Sequence, residues 1–157
     1  MKVLVTGTST GIGRGIAEKF LAEGHTVIGL DVAESTIAHE NYAHYIADVA
    51  CPEQLPAVEG VEILINNAGV QDSGRDIDVN LRGTIYCTEK YGIQPNIKSI
   101  VMTASVSAHN GAEFPEYCAS KGGVLAYTKN VALRVAKYGA TCNSISAGGV
   151  ITELNAH

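Results

Sequence analysis

Tyr117 and Lys121 stand four residues apart in Tyr117-Cys118-Ala119-Ser120-Lys121, so on a helix they share one face. A phenol beside an ammonium is an acid–base pair, because the positive charge favours the phenolate and draws a group that ionises near pH ~10 towards working range. Alone, such a pair is common on helix surfaces. Far upstream, Thr6-Gly7-Thr8-Ser9-Thr10-Gly11-Ile12-Gly13 lies between an apolar run and a helical pattern. A pyrophosphate needs backbone N–H groups at close range and a helix N-terminus aimed at it, and glycines permit both. A dinucleotide fold carries an acidic residue about 20 residues further on, and Asp31 stands there. A carboxylate at that place accepts hydrogen bonds from a ribose diol and repels a 2′-phosphate. Val32 follows Asp31 and Thr10 precedes Gly11, so no Arg or Lys stands ready for that phosphate. The expected cofactor is NAD rather than NADP.

These groups need a scaffold that gathers them. Val3–Thr6 reads as a buried parallel strand, followed by a helix over Gly11–Glu23 with Ile12, Ile16, Phe20 and Leu21 at helical spacing and Gly24 as the stop. Further strands are predicted at Thr26–Leu30, weakly at Tyr45–Ala47, then at Val61–Ile65, Ser99–Thr103 and Thr141–Ser146. Pro52–Val58 makes only a short helix or turn, while Ile77–Tyr91 and Pro115–Tyr138 read as helices, the second closed by Gly139. This alternation predicts an α/β doubly wound parallel sheet of Rossmann type, with strand order 3-2-1-4-5-6.

Composition agrees with that scaffold. A length of 157 residues corresponds to one domain, and 46% apolar against 17% charged residues excludes a disordered chain. A net charge of −5 without a basic run argues against nucleic-acid or anionic-membrane partners. No apolar stretch approaches the roughly 20 residues of a membrane span, and the N-terminus runs straight into strand and glycines, unlike a signal peptide. Cys51, Cys87, Cys118 and Cys142 form no Cys-x-x-Cys pair and read as reduced thiols of a cytoplasmic protein. His25, His39, His44 and His157 lack metal-ligand spacing, so no metal is expected.

Thr6–Gly13, Asp31, Asp48-Val49, Asn66-Asn67-Ala68-Gly69, Asn80, Ser105, Tyr117/Lys121 and Asn143-Ser144-Ile145 occur in one order. Together they resemble the short-chain dehydrogenase/reductase family from residue 2 to about residue 152. The resemblance implies that Tyr117 is the general acid/base and that Lys121 binds the nicotinamide ribose and tunes the phenol. It implies that Ser105 hydrogen-bonds the substrate oxygen and that Asn80 holds a proton-relay water. Cofactor contacts are implied for Gly7, Ser9, Thr10, Gly11, Ile12 and Gly13, for Asp31 at the ribose, and for Asp48 and Val49 at the adenine. Asn66, Ala68 and Gly69 would run along the cofactor, with Val150 and Thr152 at the carboxamide and phosphate. The implied reaction is hydride transfer between NAD(H) and a secondary alcohol or ketone, in a homodimer or homotetramer paired through Ile77–Tyr91 and Pro115–Tyr138.

Several residues compete for roles. Ser107 rivals Ser105, which is preferred because it directly follows the apolar strand. His109 reads as an exposed loop residue, Cys118 as a packed thiol turned away from Tyr117, and Tyr42 and Tyr45 as strand-edge packing. The stretch from Gly69 to Asn80 is shorter than is usual in the family. A compact subgroup that includes bacterial 3α-hydroxysteroid dehydrogenase/carbonyl reductases is trimmed similarly, which points to a hydroxysteroid or other bulky carbonyl. Ala147 stands where the family has Pro, which leaves the loop under the nicotinamide less rigid. The family's substrate-covering loop and seventh strand are missing before His157, so the chain reads as a C-terminally incomplete Rossmann domain. That gap supports an alternative, a non-catalytic dinucleotide-binding module for sensing or assembly.

Overall fold

The computed structural model describes residues 1–153 of the 157. Six strands, β1 (Lys2–Thr6), β2 (Thr26–Asp31), β3 (Tyr42–Ile46), β4 (Ile63–Asn66), β5 (Ser99–Ser105) and β6 (Thr141–Ala147), form one sheet. All neighbouring pairs are parallel and the order is β3-β2-β1-β4-β5-β6, as the alternation predicts. Helices cover both faces, so the central strands are apolar on both sides: Val3, Leu4 and Val5 of β1 are wholly buried. α1 (Gly11–Ala22) closes one face, setting Ala17 and Leu21 against Val3, Val5, Val27 and Ile65. On the other face Val124, Val131 and Val135 of the long helix Pro115–Val135 join a larger core with Leu4, Leu64, Ile100 and Met102.

The differences from the predicted elements have local causes. β3 starts at Tyr42, three residues early, because Gly29 of β2 leaves room for the Tyr42 phenol; a Cβ at Gly29 would collide with its hydroxyl. That hydroxyl meets Thr8 Oγ1 at 2.8 Å and His44 Nδ1 at 2.8 Å, so Tyr42 braces the glycine loop and is more than edge packing. Tyr45 is exposed on the same edge strand. Residues 77–92 are helical but not uniformly α: a π-helical segment Ile77–Gly83, one α turn α2 (Thr84–Cys87), then a second π segment Thr88–Gly92. Thr84 Oγ1 donates to the Asn80 carbonyl and Thr88 Oγ1 to the Thr84 carbonyl, each at 2.7 Å. Such back-bonding from threonine loosens the regular helical ladder. A short helix absent from the sequence reading, α3 (Ser107–Asn110), follows β5 and precedes the long helix, hereafter α4. Four residues are too few for hydrophobic periodicity to show.

Candidate active site

The strand order reverses between β1 and β4, and the crevice for a ligand opens at the carboxyl ends of the strands near such a point. A cavity of about 410 Å³ lies there. Its first wall is the glycine loop. Gly7 (φ +76°) and Gly11 (φ +56°) take left-handed backbone, and Gly7, Thr10, Gly11 and Ile12 line the cavity. Gly13 sits behind them, where a Cβ would collide with the Gly7 carbonyl oxygen, so α1 rests directly on the end of β1. The Thr6 hydroxyl accepts from the N–H groups of Asn67 (3.0 Å) and Ala68 (2.9 Å), which ties the loop after β4 to the first strand.

The Gly11 N–H at the head of α1 donates to Glu153 Oε2 at 3.1 Å. An anionic oxygen therefore already fits the place where a phosphate oxygen would sit. Asp31, at the end of β2, accepts from Ser9 N and Ala33 N, each at 2.9 Å, and lines the cavity. Ser9 itself is buried behind the wall, its hydroxyl donating to the Glu34 carbonyl at 2.9 Å. Asp48 and Val49 stand on the wall beyond β3, together with Ala68 and Gly69 after β4. Asp48 is paired with Arg75 at 2.7 Å. Burial would raise the Asp48 carboxyl, but the Arg75 guanidinium and the Ala50 N–H hold it below the usual range.

The opposite wall carries Ser105, Tyr117 and Lys121. Lys121, nine-tenths buried, donates from Nζ to the Thr103 carbonyl at 2.9 Å and lies 5.8 Å from the Tyr117 ring centre. Burial draws its pKa down to about 8. Ser105 is the last residue of β5, its Oγ accepting from the Ser107 N–H at 3.2 Å. Ser107 lies off the cavity wall. Cys118 turns its thiol to the Ala112 carbonyl at 2.6 Å, away from the cavity. His109 is exposed on α3 and bonds Ser146 Oγ at 2.8 Å. Asn80 and Asn66 stand one layer back. The Asn80 amide accepts from Val70 N and donates to Val70 O, both at 2.8 Å, and to Ser120 Oγ at 3.1 Å. Asn66 donates to Thr88 Oγ1 at 2.9 Å, and its buried Oδ1 has no hydrogen-bond partner among the described residues. Val150 and Thr152 reach the cavity from the segment after β6. His157 lies outside the described residues.

Sequence reasoning missed Gln71, Arg75, Glu113 and Glu153, all on the cavity wall. They sit on connections without periodicity, so only the folded loops bring them there. Among the described residues no helix is long and apolar enough to cross a membrane, and no group of three His, Cys, Asp or Glu is arranged to hold a metal.

Comparison with known proteins agrees with this geometry. The short chain dehydrogenase family model matches residues 1–157. The 3-oxoacyl-[acyl-carrier-protein] reductase FabG of Vibrio cholerae is 31% identical, over 96% of this chain and 74% of that protein. Among solved structures, the ligand-free aldohexose dehydrogenase of Thermoplasma acidophilum superposes with a TM-score of 0.83 at 32% identity, over 98% of this chain and 68% of that one. The 3-oxoacyl-[acyl-carrier protein] reductase of Brucella melitensis, solved in complex with NAD, gives a TM-score of 0.84 at 28% identity, over 99% of this chain and 76% of that one. By its sequence match, its sheet order and its relatives, the chain belongs to the short-chain dehydrogenase family.

Proposed function

We propose that the chain is an NAD-dependent oxidoreductase acting on the carbinol carbon of a secondary alcohol, or on the carbonyl of the corresponding ketone. The observation that carries this reading is one cavity with an anion-ready glycine loop on one wall and Ser105, Tyr117 and Lys121 on the other. Bound NAD would supply hydride acceptance and NADH hydride donation. The glycine loop and the head of α1 would hold the pyrophosphate, and Asp31 the adenosine ribose. Tyr117 takes the hydroxyl proton of the alcohol as its carbon is oxidised, and returns a proton to the nascent alkoxide in reduction. Ser105 donates to the substrate oxygen, and Lys121 sets a positive charge beside the phenol and fixes the cofactor ribose. Asn80 supports this face by joining Val70 to Ser120, the residue before Lys121.

Asp31 favours NAD over NADP, because its carboxylate meets a diol with acceptors and a 2′-phosphate with like charge. The named relatives differ in substrate, being 3-oxoacyl-[acyl-carrier-protein] reductases and an aldohexose dehydrogenase. A hydroxysteroid substrate rests only on the trimmed stretch from Gly69 to Asn80. A cytoplasmic, small-molecule enzyme self-associating through residues 77–92 and α4 completes the reading; Leu133 is 82% exposed on that helix. Fluorescence titration with NADH and NADPH, followed by turnover of Tyr117→Phe, tests it. NADH binding with little NADPH binding, and turnover lost in the variant with binding kept, is the expected result. Turnover surviving in Tyr117→Phe would sink the mechanism, whereas binding without any turnover in the parent chain would favour the non-catalytic module.

A further inference from the structure

Tyr42 and His44 lie two residues apart on β3, so their side chains share one face of the sheet. Gly29 of β2 pairs with His44, and a Cβ there would collide with the hydroxyls of both Tyr42 and Thr8. The bare glycine thus lets an edge strand reach across β2 to the glycine loop.

Chemistry fixes the direction of each hydrogen bond in that reach. His44 Nε2 faces the Ala33 carbonyl at 2.9 Å, and a carbonyl only accepts, so Nε2 carries the proton. In the neutral ring Nδ1 is then an acceptor, and the Tyr42 hydroxyl donates to it at 2.8 Å. The Tyr42 oxygen in turn accepts from Thr8 Oγ1 at 2.8 Å, and Thr8 is wholly buried. Burial raises the Tyr42 phenol above its ordinary value, which keeps it a hydroxyl.

The chain of bonds closes on itself. Ala33, which receives His44, donates its own N–H to Asp31 Oδ1, while Asp31 Oδ2 accepts from the N–H of Ser9, the residue after Thr8. Asp31, Ser9, Thr8, Tyr42, His44 and Ala33 therefore form one ring, tightened where Thr36 Oγ1 donates to the Ser9 carbonyl at 2.6 Å. The ring ties the Asp31 carboxylate to the loop between Gly7 and Thr10, all three of which line the cavity, whereas Tyr42 and His44 lie off its wall. Resting on the NAD reading above, we infer that Tyr42 and His44 are positioning residues for dinucleotide binding. From outside the cavity they hold Asp31 and the glycine loop in one fixed relation, so that the ribose diol and the pyrophosphate meet partners already in place.

Fluorescence titration of the full chain with NADH, NADPH and reduced nicotinamide mononucleotide, which lacks the adenosine half, tests this. Tyr42→Phe keeps the ring in the space at Gly29 and removes only the hydroxyl link. It weakens NADH binding about two- to tenfold, the worth of one net hydrogen bond. It also lowers the NADH-over-NADPH ratio, because Asp31 is no longer held, and leaves mononucleotide binding unchanged. His44→Leu and Thr8→Val cut the ring at other points and give the same pattern, and Thr8→Val combined with Tyr42→Phe adds no further loss. Thr8→Ser, which keeps the hydroxyl, binds as the parent does. A lowered melting temperature with unchanged NADH affinity and cofactor ratio would make the ring merely structural and overturn the inference. Additive losses in the double variant, or equal weakening of the mononucleotide, would overturn it as well. A parent chain that binds no NADH removes the NAD reading and this inference with it, whereas a parent that binds NADH no better than Tyr42→Phe does sinks this inference alone.

Discussion

Lys121 reaches from α4 to give its ammonium to the carbonyl of Thr103, two residues before Ser105 on β5. One hydrogen bond thereby fixes the spacing between the helix that carries Tyr117 and the strand that carries Ser105. Burial makes the ammonium costly there, and the same burial draws its pKa to about 8.

The burial of Lys121 predicts a pH dependence of stability. With a folded pKa of about 8 and an unfolded value near ~10.4, the unfolded chain binds more protons between those two values. Stability from this group therefore rises as pH increases from about 8 towards ~10.4, and its penalty is full below the folded value. Denaturant unfolding of the parent chain and of Lys121→Met at pH ~7 and ~10 should show the parent gaining about 2 kcal/mol relative to the variant. A constant difference would refute the buried, charge-shifted lysine.

Asn80 predicts a structural cost separable from chemistry. Its amide closes a ring with both backbone polar groups of Val70 and caps Ser120 Oγ. Asn80→Ala removes the partner of both half-buried Val70 backbone groups while Ser120 Oγ keeps its bond to the Tyr117 carbonyl, for a loss of about 1–3 kcal/mol measured by chemical denaturation. Asn80→Asp retains the acceptor for Val70 N but sets a carboxylate against Val70 O, so it too is destabilised. Wild-type stability in the alanine variant would show that water replaces the amide without loss.

Neighbouring glycines in one helix predict opposite outcomes. Gly13 has no room for a Cβ, while Gly15, two residues on, has nothing within 4 Å of that position. Gly15→Ala should stabilise by about 1 kcal/mol through helix propensity. Gly13→Ala should push α1 off β1, lowering the melting temperature and abolishing dinucleotide binding together. Equal melting temperatures for the two variants would contradict the close approach of Gly13 to Gly7.

Asp31 predicts a coupled effect on selectivity and stability. Asp31→Ala removes the like charge that opposes a 2′-phosphate, and the NADH-over-NADPH ratio should fall by at least about tenfold. It also strips the acceptor from Ser9 N and Ala33 N, so stability should drop by about 1–3 kcal/mol. Comparison with Asp31→Asn, which keeps an acceptor oxygen, separates the two effects. An unchanged cofactor ratio in both variants would remove Asp31 from discrimination.

The strands, the glycine loop and the Tyr117/Lys121 spacing were legible because each rests on local pattern, while the strand order came from the doubly wound fold class and the choice of Ser105, Tyr117 and Lys121 from the family resemblance. What stayed hidden depends on contacts distant in sequence. The start of β3 is set by Tyr42 filling the space above Gly29, which no window around residue 42 contains. The π segments arise where Thr84 and Thr88 bond back to carbonyls, although the apolar spacing of residues 77–91 reads simply as helix. Arg75 and Glu153 come to the cavity only through loops held by Asp76 and by the head of α1.

The contact between Glu153 and the Gly11 N–H has a kinetic meaning. A phosphate approaching the head of α1 meets a carboxylate in possession, so its arrival is an exchange and not a simple addition. The Gly11 N–H is thereby a donor for which the chain's own Glu153 side chain competes with any incoming anion.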